Sequence, residues 1–183
     1  MTFGSTFGRT FSPTFQPKSQ AASSASTWWN LNGTITSCVA AYQPKGAASF
    51  AASKINLANP GTYDAANGAE YPDWASGTGW KFNGSTQYLK CGFKPTLQIS
   101  SVIIRFNDVQ ASNGALFGCW YEDEVHFLIQ PRHSQPGCRY WSGNGCLVTS
   151  VITSGVLAMA GNKAYKNGTV EGGTIPKGTS SKS

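Results

Sequence analysis

From Trp80 onward, apolar residues fall in short runs parted by Gly, Asn, Ser or Pro. The runs "SVIIRF", "GALFGCWY", "VHFLIQP", "CRYWSG", "CLVTSVIT", "VLAMAG" and "KAYKNGTVEGG" follow one another at about ten-residue spacing, the rhythm of strands and turns in an all-β sandwich or barrel. β-Branched Val102, Ile103 and Ile104 make the first of these the strongest strand signal. Upstream, "GWKFNGSTQYLKCGF" predicts a strand at 80–82, a turn at Asn83-Gly84 and a strand at 87–91, because an Asn-Gly pair supplies the positive φ of a tight hairpin. The pattern predicts an antiparallel sandwich of two sheets.

Two stretches depart from it. The Ala-rich segment 47–58, confined by Pro44 and Gly46 before it and Pro60-Gly61 after it, allows a short helix or an irregular excursion. The N-terminus repeats Thr-Phe plus two residues four times, as TFGS, TFGR, TFSP and TFQP. Gly4, Gly8, Pro13 and Pro17 oppose a helix. In an extended chain Phe3, Phe7, Arg9, Phe11 and Phe15 share one side, the phenylalanines at intervals of about 13 Å. So short a ribbon has no core of its own for these rings. Residues 1–17 are therefore expected to form an arm that docks on a neighbouring protein and orders as it binds, the rival being a free low-complexity terminus. Residues 18–27, "KSQAASSAST", read as a linker, and 28–183 as the folded domain.

At 183 residues the chain is long enough for one domain and a tail. Charged residues are 12%, about half the usual share, and glycines number 21, which suits a turn-rich β protein. The net charge of +6 comes from scattered lysines and arginines with no run to follow a phosphate backbone, so no nucleic-acid partner is expected. No apolar stretch reads as a signal peptide or membrane span, and no membrane insertion is expected. Five cysteines, an odd number without CxxC spacing, read as packed thiols from a reducing compartment. Cys138 and Cys146 are the pair that a hairpin disulfide would join in an oxidising medium.

Candidate chemistry is sparse. In "WYEDEVHF" a strand would put Glu122, Glu124 and His126 on one face and Asp123 on the other, but a charged strand end beside Gly118 accounts for the same residues. A metal site from these groups and His133 lacks any fixed ligand spacing, and Asp64, Asp73 and Asp108 are too scattered for a calcium loop. No nucleophile elbow, P-loop or HExxH occurs, so neither catalysis nor a cofactor is expected. "PRHSQPGCRYW" gathers Arg132, His133, Arg139, Tyr140 and Trp141, a mixture able to contact a glycan or simply to pack.

"NLANPGTYDAANGAEYPDW" followed by "GTGWKFNGSTQYLKCGF", with "SVIIRFNDV" and "AGNKAYKNGTVEGG" further on, resembles a laminin-G-like, concanavalin A-type jelly roll. More narrowly, "YQPKGAAS…NLANPGTY" resembles tailed-phage and prophage virion proteins, in whose company the "TFGSTFGRTFSPTFQP" arm also occurs. The resemblance implies a jelly-roll fold and a virion structural protein, a capsid decoration, head fibre or tail component assembled in the bacterial cytoplasm. Its implied partners are other virion proteins, copies of itself and host-surface glycans. Two alternatives stay open: a lectin-like carbohydrate-binding module independent of any virion, and a glycosidase on the concanavalin scaffold. Relatives continue with further strands where this chain reaches "GGTIPKGTSSKS", so either a neighbouring subunit or another polypeptide is expected to complete the sheet, or the sequence is a piece of a longer chain.

Overall fold

A computed structural model of the chain describes residues 28–30, 37–97, 99–110, 113–120, 126–134 and 137–176. The chain divides into two units after Cys38. In the first, Trp28 and Trp29 meet edge to face with ring centroids 5.4 Å apart. The second begins at Val39 and carries the sheets.

Its opening segment is organised by a buried amide. Asn56 has no exposed surface, and its side-chain oxygen accepts from the amides of Ala41 at 2.9 Å and Ala58 at 3.1 Å. Its side-chain nitrogen donates to the carbonyls of Val39 at 2.9 Å and Thr62 at 2.7 Å. All four hydrogen-bonding positions of the amide are used, fastening three loop segments to one point. The Asn56 main-chain amide meets Asp64 Oδ1 at 2.7 Å. Pulling Asn56 inward ends helix growth, which explains why segment 47–58 yields a single turn, α1 (Phe50–Ser53), capped by Ser49 Oγ on the Ala52 amide at 3.1 Å. A 3-10 turn, Pro44–Gly46, precedes it.

Four short strands follow: β1 (Ala66–Asn67), β2 (Asp73–Ala75), β3 (Gly79–Lys81) and β4 (Leu89–Lys90). β2 and β3 form a hairpin with Trp74 opposite Trp80. Their indoles reach back to the opening segment, Trp74 to the Pro44 carbonyl at 2.9 Å and Trp80 to Ser53 Oγ at 2.8 Å. The hairpin expected across Asn83-Gly84 does not form, since β3 pairs with β2 and β4 pairs with β1. The turn itself exists, with Gly84 at φ 75°. There Asn83 Oδ1 accepts from the amides of Ser85, Thr86 and Gln87, and this side-chain wrapping replaces the cross-strand ladder.

The remaining strands build two four-stranded antiparallel sheets. They are β5 (Ser101–Phe106), β6 (Phe117–Trp120), β7 (His126–Gln130), β8 (Cys138–Gly143), β9 (Cys146–Thr149), β10 (Gly155–Ala160), β11 (Lys163–Lys166) and β12 (Thr169–Val170). One sheet is the meander β6-β7-β8-β9, and the other runs β12-β11-β10-β5. The chain thus leaves the second sheet after β5, completes the first, and returns to pair β10 with β5, Leu157 opposite Ile104. An Asn-Gly hairpin does form between β11 and β12, with Asn167 and Gly168 at φ 51° and 82°.

Both sheets feed one core. Phe127, Ile129, Cys138 and Tyr140 from the meander pack with Leu157, Met159 and Ala164 from the other sheet, and Ile175 closes the cluster. Val102, Ile104 and Phe106 face it from β5. Lys166 straps the sheets together at their margin, its Nζ 2.9 Å from the Ser150 carbonyl and 3.1 Å from Glu171 Oε1. The described fold is all-β with antiparallel sheets.

Asn56→Ala strands two amides and two carbonyls, and a loss of about 3 kcal/mol in unfolding free energy is expected from denaturant titration, with Asn56→Asp no better because its carboxylate faces two carbonyls. Burial, reinforced by the negative charge of Cys91 and Asp64, pushes the Tyr42 phenol from 10.0 up to about 12. A folded-state value above the unfolded one stabilises below pH 10.0, and that stabilisation is lost as pH rises through about 12. In an ultraviolet alkaline titration, Tyr42→Phe should remove one late-ionising phenol.

Candidate functional site

Strand alternation sorts the basic-aromatic stretch 131–141 into three places. Cys138, Tyr140 and Ser142 are wholly buried and point into the core. Arg139 and Trp141 point out from the opposite face of β8. Arg132 and His133 sit in the turn between β7 and β8, where Arg132 Nη1 donates to the Gln110 carbonyl at 3.0 Å and the His133 amide to the Gly137 carbonyl at 3.0 Å. Tyr140 therefore cannot contact a glycan in this fold. Its ring is part of the sandwich interior, and burial raises its phenol far above the ordinary tyrosine range.

Four of the five expected contact residues remain on the surface side, and the sheet register supplies their neighbours. Trp141 lies opposite Leu128 on β7 and Cys146 on β9, and Arg139 lies opposite Gln130 and Val148. His126 stands on the same outward face, its ring 5.5 Å from that of Trp141 at 74°, edge to face. His126 and Leu128 are 8% and 4% exposed although they point away from the core, so this outward face is largely covered around Trp141. Burial pushes the Cys146 thiol up, against the pull of Arg139. Arg139 Nε and Trp141 Nε1 are themselves shielded from solvent, so this face packs around the indole and does not present it as an open contact surface.

The hairpin disulfide is incompatible with this register. Cys138 pairs with Thr149 and faces the core, whereas Cys146 pairs with Trp141 and faces outward, so the two thiols lie on opposite sides of the sheet. None of the five cysteines is joined in a disulfide. Burial raises the Cys138 thiol, consistent with a packed apolar role.

Of the acidic cluster, Glu122, Asp123 and Glu124 lie outside the described residues, as do the arm residues Phe3, Phe7, Arg9, Phe11 and Phe15. Among the described residues no three His, Cys, Asp or Glu side chains gather as a metal-binding group, and no helix is long and apolar enough to cross a membrane.

A second aromatic surface was not anticipated from sequence. Tyr71 is 59% exposed and tilts against Phe50 at 5.7 Å, while Lys54 lies 4.7 Å from the Phe50 ring and donates to Asn67 Oδ1 at 3.0 Å. Tyr88 covers Gly68, where a Cβ would come within 2.6 Å of the ring, and Lys90 sits 5.6 Å from the same ring. Tyr63 holds a φ of 60°, a conformation that bulky residues rarely adopt. The density of tyrosine in the Gly- and Asn-rich stretch "GTYDAANGAEYPDW" was the available signal.

Comparison with protein-family models, curated proteins and solved structures finds no match to this chain.

The division between core and surface has a direct test by thermal and denaturant unfolding. Tyr140→Ala should cost about 3–5 kcal/mol, whereas Arg132→Ala, exposed in a turn, should stay within about 0.5 kcal/mol of the parent.

Proposed function

We propose that this chain is a structural component of a tailed-phage virion, a capsid decoration, head fibre or tail-associated protein, that anchors through its N-terminal arm and displays a laminin-G-like jelly roll. The observation that carries the reading is the fourfold Thr-Phe repeat of residues 2–17, an apolar comb attached to a domain whose core is already filled by its own strands. Each phenylalanine buried in a host groove contributes roughly 1.5–3 kcal/mol. Ordering the arm costs about 1–2 kcal/mol per residue. Backbone hydrogen bonds to the host must therefore supplement the rings, and an extended arm can make them by adding to a sheet edge. Support for the jelly-roll assignment comes from the long return of the chain, which sets a whole sheet between β5 and β10.

The displayed domain stabilises the particle or touches host-surface glycans. A carbohydrate-binding reading independent of a virion is favoured by one feature, the aromatic and cationic groups paired at Phe50, Tyr71 and Lys54 and at Tyr88 and Lys90.

Removal of residues 1–17 tests the anchor. The truncated chain should fold as the parent does by circular dichroism but fail to enter particles when expressed during infection. Undiminished incorporation would overturn the proposal, and glycan-array binding that persists without the arm would move the assignment to the lectin-like reading.

A further inference from the structure

We infer that two copies of this chain associate through β5, joining their four-stranded sheets edge to edge into one eight-stranded sheet. Among the described residues β5 is an edge strand, paired on one side with β10. At six residues, "SVIIRF", it is the longest of the sheet edges, against four residues in β6 and β9 and two in β12. Its protection is slight, a single charge at Arg105. It contains no proline or lysine, and its register with β10 runs without a bulge from Ser101 to Phe106. The two most exposed large apolar side chains of the described residues are Ile103 in this strand, at 64%, and Ile99 two residues before it, at 78%.

The outward face of this sheet explains why a second copy fits. Register aligns Ile103 with Ala158, Ala158 with Tyr165, and Tyr165 with Val170, an apolar row that crosses all four strands and ends abruptly at the β5 edge. An antiparallel pairing about a two-fold axis perpendicular to the sheet keeps outward residues beside outward residues only when it is centred on a residue. Centred on Ile103, it sets Ile103 against its own copy, Val102 against Ile104, and Ser101 against Arg105. Apolar meets apolar and the arginine meets a hydroxyl. A centre at Ile104 would instead oppose Arg105 to Ile103. With the Ile103 centre the apolar row continues unbroken from Val170 of one copy to Val170 of the other, on an edge supplying main-chain hydrogen bonds.

This contact gives a surface to the self-association within the virion reading, but it rests on sheet order and stands or falls apart from the arm. Sedimentation of the full chain should show a species of twice the 19.4 kDa chain mass that dissociates on dilution. Ile103→Lys, which sets two ammonium groups face to face at an exposed position, should raise the dissociation constant by about a hundredfold with unchanged near-ultraviolet circular dichroism. Ile103→Cys should give a reductant-sensitive dimer on oxidation, since residues directly opposite in a ladder come within disulfide reach, whereas Val170→Cys should not. That trap decides the matter if the lysine variant misfolds. A monomer at every concentration overturns the inference. So does a dimer indifferent to Ile103→Lys, including one that is lost only when residues 1–27 are removed.

Discussion

The ladder between Ser101–Phe106 and Gly155–Ala160 is the pairing on which the rest of the fold depends. It joins segments separated by the entire β6–β9 meander, so its formation must close a long loop before any of its contacts repay the entropy. Once closed, it sets Leu157 and Met159 beside Ile104 and Val102 as one apolar layer, and the meander supplies the opposing layer through Phe127, Ile129 and Tyr140. Neither sheet could bury its apolar face alone. Lys166 and Ile175 then fix the margins, the first by reaching Ser150 and the second by returning its amide to the Asn162 carbonyl at 2.8 Å.

That economy of the interior decides where function can reside. The inward faces of both sheets are consumed by each other, and Cys138 and Tyr140, which alternate inward, become packing groups with raised proton affinities. What remains for recognition is the aromatic surface of the opening segment, the edge at β5 and, in the reading proposed here, the N-terminal arm. All three are suited to contact. Each combines rings or branched side chains with a few polar groups, and the basic surplus of +6 biases such contacts toward neutral or acidic partners.

Much of the strand inventory was legible because local and tertiary signals agree. "SVIIRF", "CRYWSG" and "KAYKNGTV" are strands by propensity, by alternation and by their turns, and the structure uses them so. Partner choice was not legible. Asn83-Gly84 and Asn167-Gly168 carry the same turn signal, yet only the second closes a hairpin, because Asn83 spends its side chain on the following amides. The stretch 131–141 looked like one cluster, and a two-residue strand period divides it between core and surface. The same period separates Cys138 from Cys146. Asn56 gave no sign in the sequence of its role, since an asparagine becomes a hub only when distant loops converge on it. The arm was legible as a repeat, and its socket belongs to another molecule in the reading proposed here.

The central claim is that the phenylalanine comb is buried by a different polypeptide while the sandwich keeps its own core. A density map of the assembled particle, at a resolution that shows side chains, tests this most directly. The account predicts Phe3, Phe7, Phe11 and Phe15 seated in grooves of a neighbouring chain, with Tyr140 and Leu157 still enclosed between their sheets. Rings packed against the sandwich of their own chain would contradict it.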